Sequence, residues 1–300
     1  MNGKKLWRLL GVILALGVLT QCSLFHTESR PSDVNKWKIG LSAGGLQRLN
    51  EETFTKVREA GFDCVEIGLS MQQPATGSLE QQCKSVKEWS AKSGVKIWSV
   101  HIPYGPAYDI STVDPAGRGK AIENITQILD LCKILKPQKG ILHPSFEPIK
   151  PEERAARLKA CKEALPIVTR QAAARGVQIA IECLPRTCLG NTSAEILELL
   201  RGVDGLGVCC DVNHLLQETQ EDFIRKAGAH IKTLHINDYD GKDERHWMPG
   251  EGIIKWDTVL GSLVNVGYEG PFLFECRGTP EEKMARWEKM KKNYLGRRAP

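Results

Sequence analysis

From Lys36 to its carboxyl end this sequence alternates short apolar, β-branched runs with longer segments of helical period, eight times over. Such alternation argues for parallel strands joined by helices, because parallel neighbours need a crossover of a dozen or more residues. The expected strands are Trp37–Ser42, Asp63–Leu69, Lys96–Ile102, Gly140–Ser145, Val177–Leu184, Gly207–Val212, Ile231–Asn237 and Pro271–Cys276. The helices between them start at recognisable signals: Asn50-Glu-Glu-Thr can cap the first, Ser78 the second, and Pro151-Glu-Glu opens the fourth. The apolar stripe of Arg154–Ala174 stops at Gly176, and Glu281–Tyr294 makes a last helix rich in Lys and Glu. Eight such units fill about 260 residues, close to the usual size of a (β/α)₈ barrel. An open doubly wound sheet is the alternative, but Ser42-Ala-Gly-Gly lacks the third glycine and the later acidic residue of a dinucleotide-binding turn. The sequence therefore predicts an α/β protein, a single-domain (β/α)₈ TIM barrel over residues 37–296.

In a barrel the carboxyl ends of the strands carry the chemistry, while the strand bodies pack the core. A charged or imidazole side chain closing an apolar strand must be paired, ligated or catalytic, since burying it alone costs several kcal/mol. Read in order, those ends are Glu66, His101, His143, Glu182, Asp211 with His214, His235 and Glu275. Glu182, Asp211, His235 and Glu275 follow one another at intervals of 29, 24 and 40 residues, which places them side by side on one rim. Three carboxylates and one imidazole make an oxygen-rich site for one divalent cation, Mn²⁺ before Mg²⁺, Co²⁺ or Zn²⁺. The bland reading is ion pairing with Arg or Lys inside the barrel, yet no strand end carries such a partner. Glu66 reads as a structural partner within the barrel rather than a catalyst.

The amino terminus and the cysteines bear on compartment. Lys4, Lys5 and Arg8 precede the apolar run Leu9–Thr20, the order of a secretory signal and too short for a comfortable membrane span. The run ends in Leu19-Thr20-Gln21-Cys22, which resembles a bacterial lipobox with Gln21 where a small residue normally stands. The expectation is a signal peptide over 1–21, a lipidated Cys22, a polar tether over 22–36, and an exported protein held at a bacterial membrane, periplasmic or outer-surface. The ten cysteines include no CxxC pair, and Cys64, Cys183, Cys209, Cys210 and Cys276 lie in or beside apolar runs. Buried free thiols are therefore expected, although Cys183 and Cys188 are spaced to bridge. The formal net charge is +5, but three of those charges are Lys4, Lys5 and Arg8, so the body is near neutral. Nucleic acid as a partner gets no support from that balance.

Together with Trp247-Met-Pro-Gly-Glu-Gly-Ile-Ile-Lys-Trp256 and Gly267-Tyr-Glu-Gly-Pro-Phe-Leu-Phe-Glu275, the rim constellation resembles the xylose-isomerase-like TIM barrels, in their sugar phosphate isomerase/epimerase branch. The resemblance covers residues 37–296. It implies that Glu182, Asp211, His235 and Glu275 hold one divalent cation, and that Glu182 and Glu275 move a proton through an enediolate of a keto-sugar or related carbohydrate. It further implies substrate contacts from His214, from pocket-lining His101 and His143, and from His246, which stands where some epimerases have Arg. Glu251 of the PGEG loop is expected to accept backbone N–H bonds. Arg186 is open to two readings, substrate contact or a cap on the following loop.

Two alternatives belong to other classes. An endonuclease-IV-like phosphodiesterase with three zinc ions would use His101, His143, His214 and the Glu244-Arg245-His246 run, but a near-neutral, exported body counts against it. A non-catalytic surface sugar-binding barrel would keep aromatics such as Tyr104 and Trp247 while losing ligands, and all four ligands are present. The expected partners are a small carbohydrate, no nucleic acid, a membrane only through the lipid anchor, and a second copy in a homodimer. Export favours free or oxidised sugars, or keto-glycosides, over phosphorylated ones.

Overall fold

The computed structural model describes residues 31–72 and 77–298. The expected signal peptide and Cys22 lie outside the described residues. Eight parallel strands, β1 Ile39–Gly45, β2 Cys64–Gly68, β3 Lys96–His101, β4 Lys139–Leu142, β5 Gln178–Glu182, β6 Gly207–Asp211, β7 Ile231–His235 and β8 Phe272–Phe274, pair in sequence order, and β1 also pairs with β8. Ile236, one residue past β7, joins the two ends: its N–H donates to Leu273 O at 2.8 Å, and its carbonyl accepts from Glu275 N at 2.9 Å. Each strand is followed by one helix: α1 Glu51–Glu59, α2 Leu79–Ser93, α3 Pro115–Leu135, α4 Pro151–Ala173, α5 Ser193–Leu200, α6 Gln220–Ala227, α7 Trp256–Asn265 and α8 Pro280–Gly296. This is the single-domain TIM barrel that the alternation predicts.

The helix starts follow their local chemistry. Asn50 and Thr53 form a reciprocal capping box on α1, and Ser78 accepts from Gln81 N on α2. Thr279 and Glu282 form a second box on α8, a signal not singled out in the sequence. Strand boundaries shift more, because an apolar run continues wherever backbone is buried, whether or not the ladder continues. β1 begins two residues later than expected, and Trp37 instead packs its ring against Tyr268, Phe272 and Trp287. β4 and β8 are shorter than expected, so His143 and Glu275 stand one residue beyond their strands. The backbone from Ser32 to Lys36, within the stretch expected as a tether, packs on the barrel: Ser32 N donates to Val264 O at 3.0 Å, and Val34 is buried. The cysteines among the described residues are all free, Cys183 and Cys188 included. Among these residues no helix is long and apolar enough to cross a membrane.

Candidate metal centre and active site

β5, β6 and β7 end on Glu182, Asp211 and His235, and Glu275 follows β8. Successive parallel strands deliver these side chains to one mouth of the barrel. Around His235 Nδ1 stand Glu182 Oε1 at 2.9 Å, Glu275 Oε2 at 3.0 Å and Asp211 Oδ2 at 3.8 Å. One ring nitrogen can donate a single proton, so it cannot satisfy three carboxylates. One donor atom from each of the four residues falls within 4.8 Å of the others, the packing expected of a shared ion. Burial pushes the Asp211 carboxyl up to about 6 despite His214 beside it. Burial also works upward on Glu275, but His235 outweighs it and holds that carboxyl at about 2. Glu182 is likewise held well below the usual range, by His235 and His143 against the effect of burial. An oxygen-rich set with one imidazole fits a hard to borderline divalent cation.

The orientation of His235 is fixed from below. Its Nε2 lies 3.0 Å from Glu66 Oε1, and Ser99 Oγ donates to Glu66 Oε2 at 2.7 Å, all three residues being fully buried. Nε2–H therefore donates to Glu66, which turns Nδ1 toward the carboxylates. Glu66 is thus a partner within the barrel, as expected, and its partner is a metal-ligand candidate. Glu66→Gln is expected to weaken divalent-metal affinity about 10- to 100-fold without unfolding the barrel, read by competition titration against a metal indicator.

Four further histidines meet in the same cavity of about 190 Å³. His101 donates from Nδ1 to Ile102 O at 2.9 Å and from Nε2 to Glu182 Oε2 at 3.2 Å; although burial opposes the charge, Glu182 holds its pKa at about 9. His143 Nε2 is 3.0 Å from the same Glu182 oxygen, and burial lowers its pKa. His214 donates from Nδ1 to Cys183 O at 2.9 Å and places Nε2 2.9 Å from Glu244 Oε2. Burial disfavours charge on that ring, but Asp211 and Glu244 raise its pKa well above normal. His246, with φ 48°, donates from Nδ1 to Glu275 O at 3.0 Å. All eight site residues expected from sequence are therefore brought together: six line the cavity, and Asp211 and His235 join it through the cluster they form with Glu182 and Glu275. Tyr104 lines the cavity and Trp247 does not.

Of two organising residues, sequence reasoning left Arg186 between two readings and missed Asp238. Arg186, in the left-handed region at φ 50°, bonds Glu147 at 2.6 Å, Asp243 at 2.5 Å and Glu244 at 3.1 Å, tying together the loops after β4, β5 and β7. Arg186 in this way holds Glu244 beside His214, whose hydrogen bond keeps the Glu244 carboxyl at about 2. In the PGEG loop Glu251 does accept from Met248 N at 3.1 Å. The main organiser there is buried Asp238, which accepts from Tyr239 N, Gly250 N, Ile254 N and Trp256 Nε1 at 2.7–3.2 Å. Gly252 is needed beside it, since a Cβ would sit 2.1 Å from Tyr239 O. An acidic residue three beyond a strand-end histidine was the available signal for Asp238.

Comparison with known proteins adds four findings. The profile of the family described as xylose isomerase-like TIM barrel matches residues 54–291. The ketose 3-epimerase of Arthrobacter globiformis is 27% identical over 228 residues, 73% of this chain and 75% of that protein. A probable endonuclease 4 of Persephonella marina is 23% identical over 289 residues, 88% of this chain and 98% of that protein. Among solved structures, a D-tagatose 3-epimerase-like protein superposes with a TM-score of 0.72 at 24% identity, over 86% of this chain and 97% of that one, a likeness of fold.

Proposed function

The chain belongs to the xylose isomerase-like TIM barrel family, and from that membership we propose that it is a divalent-metal-dependent epimerase of ketoses. One observation carries this reading: two carboxylates, Glu182 at the end of β5 and Glu275 just after β8, line the cavity, and both belong to the four-residue ligand cluster. A bound cation would polarise a ketone oxygen and its neighbouring hydroxyl, making the C–H between them acidic. Glu182 and Glu275 then divide the proton work, one removing the proton from carbon and the other delivering one to the opposite face. The configuration inverts with no net oxidation. His101 and His143 fix the second oxygen of Glu182 and so set the plane of its carboxylate. His214, its Nε2 held by Glu244 Oε2, and His246 line the same side of the cavity.

The experiment is incubation with unphosphorylated ketoses in D₂O with added Mn²⁺, read by NMR. Deuterium at one carbon next to the carbonyl, lost on chelation, is the expected result. No exchange on any ketose would sink the reading. The cavity volume is below that of drug-sized sites, roughly 300–1,000 Å³, which suits a monosaccharide unit.

Phosphorylated ketoses are expected to show a kcat/KM at least tenfold lower than their free counterparts. The mouth carries Glu147, Asp243 and Glu244, and they already engage the guanidinium of Arg186, so an incoming phosphate meets negative charge without a free partner. The signal-like residues 1–21 support the same substrate choice, in an exported enzyme anchored through Cys22. Equal efficiency on both forms, measured side by side, would refute it.

A second reading has its own observation. His101, His143 and Glu182 form a further ligand group, as do His214, Glu244 and His246. Three tightly held zinc ions per chain, with cleavage of abasic DNA, would favour an endonuclease-like phosphodiesterase. The near-neutral body supports the epimerase instead, because phosphate contacts need Lys and Arg tracks.

A further inference from the structure

Beside the reaction cavity lies a second one of about 350 Å³, and the two share His101, Tyr104 and Glu275. Besides the shared side chains, its wall comes from Ser42, Gly44 and Gly45 at the end of β1, from Glu66, Gly68 and Leu69 at the end of β2, and from Pro103. The register between these strands slips between Ser42 and Gly45, a bulge that re-aims the end of β1. A Cβ at Gly45 or Gly68 would meet only ordinary contacts, at 3.6 Å, and Gly45 has φ −72°, open to any residue. Packing does not require glycine at either position; what the bare backbone creates is room. Just beyond Gly45, Gln47 Nε2 donates to Ser70 Oγ at 2.8 Å and Gln72 O at 2.9 Å, which ties the loop after β1 to the loop after β2.

Tyr104 stands at the seam of the two cavities. It is 63% exposed, and one face stacks on His143 with ring centroids 4.8 Å apart and planes at 12°. A tyrosine left with its other face to solvent offers an apolar plate for the C–H face of a sugar ring and a hydroxyl for its rim. Ser42 and Glu66 in the adjoining wall add polar groups suited to a polyhydroxy ligand.

We propose that the substrate is a two-unit carbohydrate, with the keto-sugar unit over Glu182 and Glu275 and a glycosyl substituent in the trough of Ser42, Gly45 and Gly68, Tyr104 lying between them. This rests on the epimerase reading and names its substrate class.

The test is calorimetric titration of the Mn²⁺-loaded protein with D-fructose and with fructose bearing a hexosyl unit at O1, O4 or O6. At least one disaccharide is expected to bind tenfold or more tightly than fructose. Gly45→Leu, which fills the trough, and Tyr104→Ala are each expected to cut that margin below threefold. Melting curves report whether Gly45→Leu folds; Tyr104→Ala, at an exposed position, carries the test if it does not. Fructose that binds and exchanges deuterium, with no disaccharide margin, overturns the two-unit substrate alone. So does a margin that survives in both variants. No binding of any of these sugars overturns the ketose reading and this proposal together.

Discussion

Replacing Glu275 by Gln is expected to lower kcat for epimerisation by about 10³ or more, with Glu182→Gln no less damaging. A positioned acid or base contributes roughly 10²- to 10⁴-fold, and an amide can neither take nor return the proton. The two changes also differ in a way that a purely structural role would not reproduce. Starting from one epimer, a single carboxylate removes the proton, and that residue alone can let solvent deuterium back into the unreacted sugar. One variant should therefore keep exchange into the starting ketose while making no epimer, and the other should lose both. With the opposite epimer as substrate, the assignment should reverse. Both variants are expected to keep bound metal at reduced affinity, since the amide oxygen of Gln can still face a cation. The double variant should fall little below the worse single one, because two halves of one proton relay are not additive. More than a tenth of wild-type kcat in both single variants, with metal still bound, would remove these residues from the chemistry.

The alternation of strand and helix made the barrel legible, and the rim followed from it. A polar residue closing an apolar run is a local signal, and the repeat length then orders such residues around the mouth. For that reason Glu182, Asp211, His235 and Glu275 could be placed together from sequence. Strand ends were harder: β5 stops at Glu182 although buried Cys183 and Leu184 follow it, because burial and ladder pairing are separate causes. Arg186 was illegible for another reason. Its partners Glu147, Asp243 and Glu244 lie on loops after two other strands, and no local pattern encodes which loop charge meets which. Asp238 hid in the same way, since three of its four donors, on Gly250, Ile254 and Trp256, lie on a segment that only the fold brings back. Glu66 was readable as an interior partner, but its role on His235 depends on which ring nitrogen faces the rim, a geometric fact. The glycines of the trough carried no signal, because a glycine kept for space is indistinguishable in sequence from one kept for a turn.

Stripping divalent metal with a chelator is expected to abolish turnover and to lower the melting temperature by roughly 5–10 °C, both restored by one equivalent of Mn²⁺ per chain. At metal concentrations of about 100 times Kd, a ligand specific to the folded state adds about 2.7 kcal/mol. In chains of 150–250 residues each kcal/mol shifts the midpoint by about 2–4 °C, and a slightly longer chain falls at or just below that range. The sign is set by the site: Asp211 is fully buried, its carboxyl is already pushed up to about 6, and the same cluster holds two more carboxylates. Neutralising one of the three should relieve part of that cost without a cation. Asp211→Asn keeps an oxygen for Asn213 N, which lies 2.9 Å from Asp211 Oδ1, so the local turn can survive. The metal-free variant is therefore expected to melt no lower than the metal-free parent, while most of the metal-dependent increment disappears. If instead the increment persists in Asp211→Asn, or the parent's midpoint ignores chelator and cation alike, the cluster is not where the metal acts. The carboxylates would then have to be balanced by the histidines alone, with His101, His214 and His235 carrying charge.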